Sequence, residues 1–526
     1  MVRRRTLLGA LPALLTPVSL AAPALAQKTP VLRFVPQANL SSLDPVWTTA
    51  TVTTNHAYYV YDVLYAVDSQ MRPQPQMAEG HTVSDDGRAW TFKLRPGLRF
   101  HDGAPVRSAD CAASLERWSR RDPFGQLMNR VLEKYETPDD RTLVIRLTRP
   151  FPLLLDAISK PDANVAWIMP ERLARTDPNK AITEVVGSGP YRFVDSEYVS
   201  GSKAVYQKFE AYQPRSEPID WGSGGKVAHF PRIEWTIIPD PATVSAALRN
   251  GEVDWWEQPQ PDLLPSLVRA GLQTQVDQPA GRLAFARLNF LQAPFNDRKV
   301  RQAFLMAVNQ ADYMQAAQGD DPSLWSTCRS LYPCGTPYER DYGKDLMKAD
   351  VEAAKRMLGQ SGYAGQKAVV INPTDFPAIG PLGQVTAALL KQIGMNVELA
   401  ESDWGTVVQR RTSRESVEKG GWSVFHSFGS ATSYATPATS TLVREQGRDA
   451  WFGWPNNPSV EAKMQEWLAA PDEASRSSLA TAIGAEALED VATVPVGRFF
   501  IKTAFRKSIT GVLQGIAPYP YNVRPA

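Results

Sequence analysis

The sequence predicts an α/β protein with two or more domains. At 526 residues the chain is too long for one ordinary hydrophobic core. It is 43% hydrophobic and 21% charged, which is typical of a globular protein. Residues 382–393 have a helical pattern that stops at Gly394, and Met395, Val397 and Leu399 then alternate as a strand. A helix that leads directly into a strand is the unit of an α/β layer architecture.

The same patterns recur along the chain. Leu143, Ile145 and Leu147 alternate as a strand. A further strand is predicted at 233–238, and helices are predicted at 296–310, with Asn296 or Asp297 as cap, and at 350–358. These elements alternate between helix and strand, so they favour mixed layers over an all-α or all-β fold.

Residues 84–110 have a clear local pattern. Apolar and polar residues alternate through 90–94, Arg95-Pro96-Gly97 has the composition of a turn, and Leu98 and Phe100 resume the alternation. This pattern predicts a β-hairpin. Ser108 is then expected to cap a helix.

The N-terminus predicts a signal peptide over residues 1–26. Arg3 to Arg5 precede an apolar run, and Ala24-Leu25-Ala26 forms a small-residue cleavage site before Gln27. The segment Arg4-Arg5-Thr6-Leu7-Leu8 resembles a twin-arginine export signal, and an ordinary Sec signal is the alternative. No later stretch is apolar enough to span a membrane. We therefore expect an exported, soluble, periplasmic protein.

Charge and motifs argue against several function classes. A net charge of +2 with mixed signs does not predict a nucleic-acid partner. The sequence has no G-x-S-x-G nucleophile motif of hydrolases, no phosphate-binding loop motif, and no His/Cys cluster with the spacing of a zinc site. We therefore predict no enzyme activity, metal or cofactor and keep an exported hydrolase as a remote alternative.

Cys328 and Cys334 lie close together in a loop and are expected to form a disulfide, whereas Cys111 is expected to be a small buried residue.

Seven short motifs, in order over nearly the whole mature chain, carry a family resemblance. Besides the segment 84–110, six stretches match: Leu43-Asp44-Pro45, Gly187 to Tyr191, Leu248 to Asp254, Pro294 to Ala303, Ala353 to Tyr363 and Leu389 to Trp404. Together they resemble the extracytoplasmic solute-binding proteins of peptide and nickel ABC importers.

The resemblance implies two α/β lobes joined by a two-strand hinge, with the ligand closed between them. We expect lobe I to comprise residues 27–279 plus 492–526, and lobe II residues 280–491. The implied function is that of a monomeric substrate-binding component that captures a peptide, or a peptide-like or cationic organic solute, and delivers it to a membrane permease. A nickel or metal-chelate binder of the same family is the alternative, and His426 is its only support.

The ligand clamps of the peptide binders are missing from this sequence. The stretch 421–434, which matches the segment that holds the ligand amine, has no carboxylate, and residues 372–377 have no arginine for a carboxylate. We therefore expect a cationic ligand group paired with carboxylates and stacked on aromatic rings. The predicted ligand-binding residues are Asp375, Asp403, Trp404, Trp422, His426, Ser427, Phe428 and Tyr434.

Each of these residues also has a structural alternative. Trp404 and Trp422 fit ordinary core packing, and Asp375 fits an Asx turn before Pro377. His426 fits a buried structural histidine, because a single histidine in an apolar run more often satisfies its own hydrogen bonds than binds a ligand.

Overall fold

The computed structural model describes residues 30–278, 280–470 and 472–526. The predicted signal peptide therefore lies outside the described residues. Within them the strands are β1 Val31–Val35, β2 Asp62–Val63, β3 Tyr65–Val67, β4 Pro73–Pro75, β5 Ala78–Val83, β6 Ala89–Leu94, β7 Leu132–Asp139, β8 Thr142–Leu147, β9 Trp167–Ile168, β10 Tyr191–Phe193, β11 Lys203–Lys208, β12 Arg232–Thr236, β13 Trp255–Trp256, β14 Gln273–Val276, β15 Arg282–Leu288, β16 Trp325–Ser326, β17 Ala368–Pro373, β18 Val397–Ser402, β19 Val424–Ser430, β20 Thr493–Phe499, β21 Lys502–Phe505, β22 Ile509–Thr510 and β23 Arg524–Pro525.

The α-helices alternate with these strands along the chain, as the sequence predicted. They are α1 Thr51–Val60, α2 Ser108–Ser119, α3 Pro123–Asn129, α4 Leu154–Ser159, α5 Glu171–Ala174, α6 Pro241–Asn250, α7 Leu264–Arg269, α8 Arg298–Ala307, α9 Gln310–Gln318, α10 Val351–Gly359, α11 Gly380–Gln392, α12 Trp404–Arg410, α13 Pro458–Ala469 and α14 Glu473–Asp490.

Two large mixed sheets form the centres of two lobes. In the described residues, the first sheet has the order β10-β11-β12-β1-β13-β21-β14 and the second has the order β16-β20-β15-β19-β17-β18. β1 runs parallel to β12 and β13, and β17 runs parallel to β18 and β19. A smaller antiparallel sheet, β5-β6-β8-β7, belongs to the first lobe. The predicted α/β two-lobe fold is confirmed.

The chain crosses between the lobes twice. The first crossing joins β14 to β15, and the predicted boundary at 279/280 falls in this connection. The second joins β20 to β21. Because β20 pairs with β15 inside the second sheet, the return to lobe I comes after Phe499, so the expected return at residue 492 is too early. The apolar composition of 493–499 fitted either core, and only the pairing with β15 assigns it to the second lobe.

The predicted hairpin in 84–110 is wrong in its pairing. β6 pairs with β5 and β8, whereas Leu98 and Phe100 lie on the N-terminal side of a separate tight loop, in which Phe100 N–H donates to Ala104 O at 2.8 Å. Ser108 also does not cap α2, because its Oγ donates to Asp139 O at 2.5 Å. Asp110 instead accepts from Arg107 N–H at 2.8 Å in a capping box.

Two of the family-like motifs have structural roles in the first lobe. Asp44 forms a buried ion pair with Arg117 of α2, with Oδ2 and Nη2 at 2.6 Å, and also accepts from Ile182 N–H. A Cβ at Gly187 would lie 2.0 Å from Val60 O, and one at Gly189 would lie 2.7 Å from Tyr59 O. Glycine is therefore required where this loop passes the end of α1.

Candidate ligand-binding cleft

Loops from both lobes meet where several strands end. β1 leads into Gln37, β13 into Glu257, β17 into Thr374 and β18 into Asp403. These ends border a groove of about 550 Å³, which is lined from the first lobe by residues that include Gln37, Gln258 and Lys502, and from the second by residues that include Gln315, Thr374 and Phe376. Ligands of open α/β sheets bind at such carboxyl ends of strands.

Direct hydrogen bonds hold the two lobes against each other. Ser433 Oγ donates to Asp162 Oδ2 at 2.8 Å, and Gln446 Nε2 donates to Gln126 Oε1 at 2.8 Å. Thr49 Oγ1 of the first lobe accepts from Arg411 and from Trp451, at 3.3 and 3.4 Å. The structure therefore has the lobes in contact, as in a closed form.

A buried polar cluster lies beside the crossing segments. Glu257 accepts from Gln37 N–H and from Asn55 Nδ2, both at 2.8 Å. Burial raises the pKa of the Glu257 carboxyl to about 7. Next to it, Arg282 forms an ion pair with Asp277. Glu257 therefore lies within the electrostatic influence of this ion pair.

Arg411 lies on the second-lobe side of the boundary, surrounded by aromatic rings. Its side chain is fully buried, and its guanidinium carbon lies 4.9 Å from the Phe452 ring centre, 5.6 Å from Phe425, 5.7 Å from Trp404 and 6.0 Å from Trp451. Burial lowers the pKa of Arg411 to about 10, so the group keeps its positive charge at neutral pH.

Four of the predicted residues lie at the start of α12, in β19 or in the turn that follows β19. Trp404 packs edge-on against Phe376, with ring centres 5.2 Å apart, and Phe428 also contacts Phe376, at 5.7 Å. Tyr434 is adjacent to Ser433, which bonds to the first lobe. Ser427 is half-buried in β19, one residue before Phe428. Their role in binding stays a prediction.

The two predicted carboxylates already have protein partners. Asp403 caps α12 by accepting from Thr406 N–H at 3.0 Å, and its hydrogen bond with the Thr406 hydroxyl lowers its pKa. Asp375 Oδ1 accepts from Trp404 N–H at 2.7 Å, and partial burial raises its pKa. Both side chains thus fix the start of α12, and pairing with a cationic ligand group remains a hypothesis.

Trp422 and His426 lie in the interior of the second lobe. Trp422 is fully buried and packs against Phe425 and Trp454, at 5.0 and 6.1 Å between ring centres. His426 is 1% exposed, and its Nε2 hydrogen bonds to Thr386 Oγ1 at 2.8 Å. Burial lowers the pKa of His426 to about 3. These positions match the structural alternatives given for both residues.

The remaining predictions concern cysteine, metal and membrane. Cys328 and Cys334 form a disulfide, as predicted, and Cys111 is a buried free thiol. Among the residues with described coordinates, no three His, Cys, Asp or Glu side chains are arranged to hold a metal ion. In the same part of the chain, no α-helix has both the length and the apolar composition that crossing a bilayer requires.

The sequence reasoning missed Arg411 and Glu257. A usable signal existed for Arg411, because Trp404, Val407, Val408 and Arg411 recur at spacings of three, one and three, which puts a charge on the buried face of a helix. Glu257 directly follows Trp255 and Trp256, and no sequence pattern marked it as a buried carboxylate.

Comparison with known proteins agrees with this architecture. The family model described as "Bacterial extracellular solute-binding proteins, family 5 Middle" matches residues 72–446. A "probable peptide ABC transporter periplasmic-binding protein" of Sinorhizobium fredii is 38% identical over 493 residues, which cover 93% of this chain and 92% of that protein. The glutathione-binding protein of Pectobacterium atrosepticum is 26% identical over 462 residues, covering 84% of this chain and 83% of that protein.

Solved structures show the same fold. The periplasmic binding protein DppA of Helicobacter pylori, in complex with the peptide STSA, superposes with a TM-score of 0.78 at 20% identity and covers 94% of this chain and 98% of its own. AgaA of A. tumefaciens R10, in complex with agropinic acid, gives a TM-score of 0.77 at 23% identity, with coverage of 94% and 99%.

Proposed function

Because the chain belongs to the bacterial extracellular solute-binding proteins of family 5, we propose that it is the binding component of an ABC importer that captures a peptide or peptide-like solute between its lobes. The observation that carries the proposal is a cleft between two lobes that also contact each other directly, at Ser433–Asp162 and Gln446–Gln126. Ligand contacts made from both lobes favour the closed state, and a membrane permease would recognise that state.

The relatives support the chemical class of the solute. The Sinorhizobium fredii relative is named for peptide transport, and it aligns with this chain over almost its full length. The structural neighbours bind a peptide and the small organic acid agropinic acid. We propose a periplasmic monomer, exported through residues 1–26, without enzyme activity. The nickel alternative loses its one support, because His426 lies in the core next to Thr386.

Isothermal titration and thermal unfolding test this function. The protein is first unfolded and refolded to remove any co-purified solute, and is then titrated with dipeptides, tripeptides, tetrapeptides, glutathione and cationic organic solutes. A bound solute at one hundred times its dissociation constant is expected to stabilise the protein by about 2.7 kcal/mol. If neither peptides nor the other solutes bind, the proposed ligand class is wrong.

A matched pair of variants tests the role of lobe closure. Ser433→Ala removes the hydrogen bond to Asp162 that joins the lobes, and it is expected to weaken solute binding by roughly threefold to tenfold. Ser478→Ala, on the exposed side of α14, is the control and is expected to bind like the unchanged protein. Equal affinity in the two variants would argue against closure through this contact.

A further inference from the structure

Glutamine side chains line the groove between the lobes from both sides. Gln37, Gln258 and Gln260 belong to the first lobe, and Gln318 and Gln384 belong to the second. A glutamine amide has two N–H donors and a carbonyl acceptor, and it carries no net charge. The groove therefore offers neutral donors and acceptors to whatever binds between the lobes.

Two glutamines of helix α9 show the difference between a structural amide and an unused one. Gln310, at the start of the helix, is 4% exposed. Its amide donates to Cys328 O and Pro495 O, both at 2.8 Å, and accepts from Cys328 N–H at 2.7 Å. Gln318, at the end of the helix, is 5% exposed and lines the groove, and its side-chain amide has no hydrogen-bond partner among the described residues. Burying an amide in this way is costly unless something pairs with it.

A second pair of amides lies on the first-lobe side of the groove. Gln37 is 8% exposed, and its Oε1 accepts from Gln258 Nε2. The Gln37 backbone N–H donates to Glu257, which fixes the chain at this point. In the described chain, this leaves the Gln37 amide donors and the Gln258 carbonyl oxygen without a partner. The two side chains hold each other in place and keep a donor and an acceptor available for a solute.

The charged side chains of the groove keep contact with water. Asp262 and Glu401 are exposed, and Lys502 is half-buried. Ion pairs with groups that stay hydrated are weak, and they do not compensate for removing an ammonium or a carboxylate group from water. The free ends of a linear peptide would therefore gain little in this groove.

Rigid apolar side chains complete the walls of the groove. Phe376 and Phe500 contribute rings, and Pro259, Pro373 and Pro377 contribute apolar surface with few internal rotations. The volume of about 550 Å³ is within the usual range for small-molecule sites. Walls that are already ordered lose little entropy when a solute binds, so the buried amides can decide which solute is accepted.

We propose that this groove selects an uncharged solute, or the uncharged part of one, whose hydrogen-bonding groups pair with Gln37, Gln258 and Gln318. The inference rests on the proposed function and names the class of substrate. A peptide fits when its ends are blocked or joined in a ring, because its backbone amides then present neutral donors and acceptors. A polyhydroxylated solute presents the same chemistry.

Isothermal titration with matched charged and uncharged solutes tests this class. Trialanine is compared with N-acetyl-trialanine amide, and cyclic dialanine and trehalose separate a peptide ring from a polyhydroxylated solute. We expect an uncharged solute to bind roughly tenfold tighter than trialanine, or more. Tighter binding of free-ended trialanine would overturn the inference and leave the proposed function standing. If no solute of any kind binds, the proposed function fails, and the inference fails with it.

A matched pair of variants tests the part that Gln318 has in binding. Gln318→Leu should weaken the binding of the preferred uncharged solute by roughly fivefold to fiftyfold, because the hydrogen bonds of one amide are lost. Gln360→Leu makes the same change at an exposed position outside the groove and should bind like the unchanged protein. Equal affinities in the two variants would contradict the assignment.

Urea unfolding of the ligand-free protein tests the unused amide without any solute. Gln318→Leu should keep the urea midpoint of the unchanged protein or raise it, because the change breaks no hydrogen bond within the described chain. Gln310→Leu should lower the midpoint, because it breaks three. A midpoint for Gln318→Leu as low as that of Gln310→Leu would assign Gln318 a structural role and overturn the inference.

Discussion

Replacing His426 should make the protein less sensitive to acid. In the folded protein the pKa of His426 is about 3, whereas a histidine in the unfolded chain has a pKa of about 6.5. Below pH 6.5 the unfolded chain therefore binds a proton that the folded protein does not bind. Stability is lost as the pH falls through this window, because protonation favours the unfolded state.

The size of the effect follows from the two pKa values. At pH 5 the folded imidazole is neutral, and protonation of the unfolded chain costs the folded state about 2 kcal/mol. The His426→Gln variant removes this titration and keeps a side-chain amide that can hydrogen bond to Thr386 Oγ1, the partner of Nε2. Between pH 7.5 and pH 5.0 the variant should therefore lose about 2 kcal/mol less than the unchanged protein.

Urea unfolding followed by circular dichroism at the two pH values measures this difference. His56 is a matched comparison, because it is also fully buried and burial also lowers its pKa to about 3. His229 is exposed, and His229→Gln should change the acid sensitivity much less. The same acid sensitivity in His426→Gln and the unchanged protein would refute the reasoning, since a histidine with the same pKa in the folded and unfolded chain adds nothing to the pH dependence of stability.

Three further perturbations test other parts of the second lobe. Replacing Cys328 and Cys334 by serine should lower the unfolding free energy by about 2 kcal/mol, measured by urea titration, because the disulfide closes a short loop across six positions. Trp422→Ala should cost about 3 to 5 kcal/mol through loss of core packing, and calorimetry should show an unchanged solute affinity wherever the protein is folded. Asp403→Asn keeps a cap on α12 and removes the charge, so stability should hold, and a fall in affinity for cationic solutes would support Asp403 as a ligand partner.

Local patterns predicted most of the elements because the relevant forces are local. The helix predicted at 382–393 is α11 Gly380–Gln392, and the helix predicted at 350–358 is α10, capped by Asp350 as expected. Strand pairing depends on residues far apart in the sequence, which is why the hairpin after β6 was wrong. The pairing of β20 with β15 could not be predicted from the sequence for the same reason.

The site could be predicted only in part. A strand pattern shows that successive residues face opposite sides, but it does not say which side faces the cleft. In β19, His426 is buried against Thr386, and its neighbour Ser427 faces the other side of the sheet. The sequence pattern alone did not distinguish the two sides. For Arg411 the sequence did show a charged residue at an apolar position of a helix. The cost of burying its charge became visible only in the folded structure, where the two lobes lie against each other.

The acidic side chains named near the candidate cleft already have hydrogen-bond donors within the protein. Asp403 is bound by Thr406, Asp375 by the Trp404 amide, and Glu257 by Gln37 and Asn55, so a cation would compete with bonds already made. Arg411 and Glu445 differ from them: Arg411 has one long hydrogen bond and no acidic partner in the described chain, and both buried carboxylate oxygens of Glu445 lack a hydrogen-bond partner. The sequence lacks both clamps of the peptide binders, since the stretch 421–434 has no carboxylate for an amine and residues 372–377 have no arginine for a carboxylate. A cationic ligand group paired with Asp375 or Asp403 would therefore have to replace a hydrogen bond that fixes the start of α12.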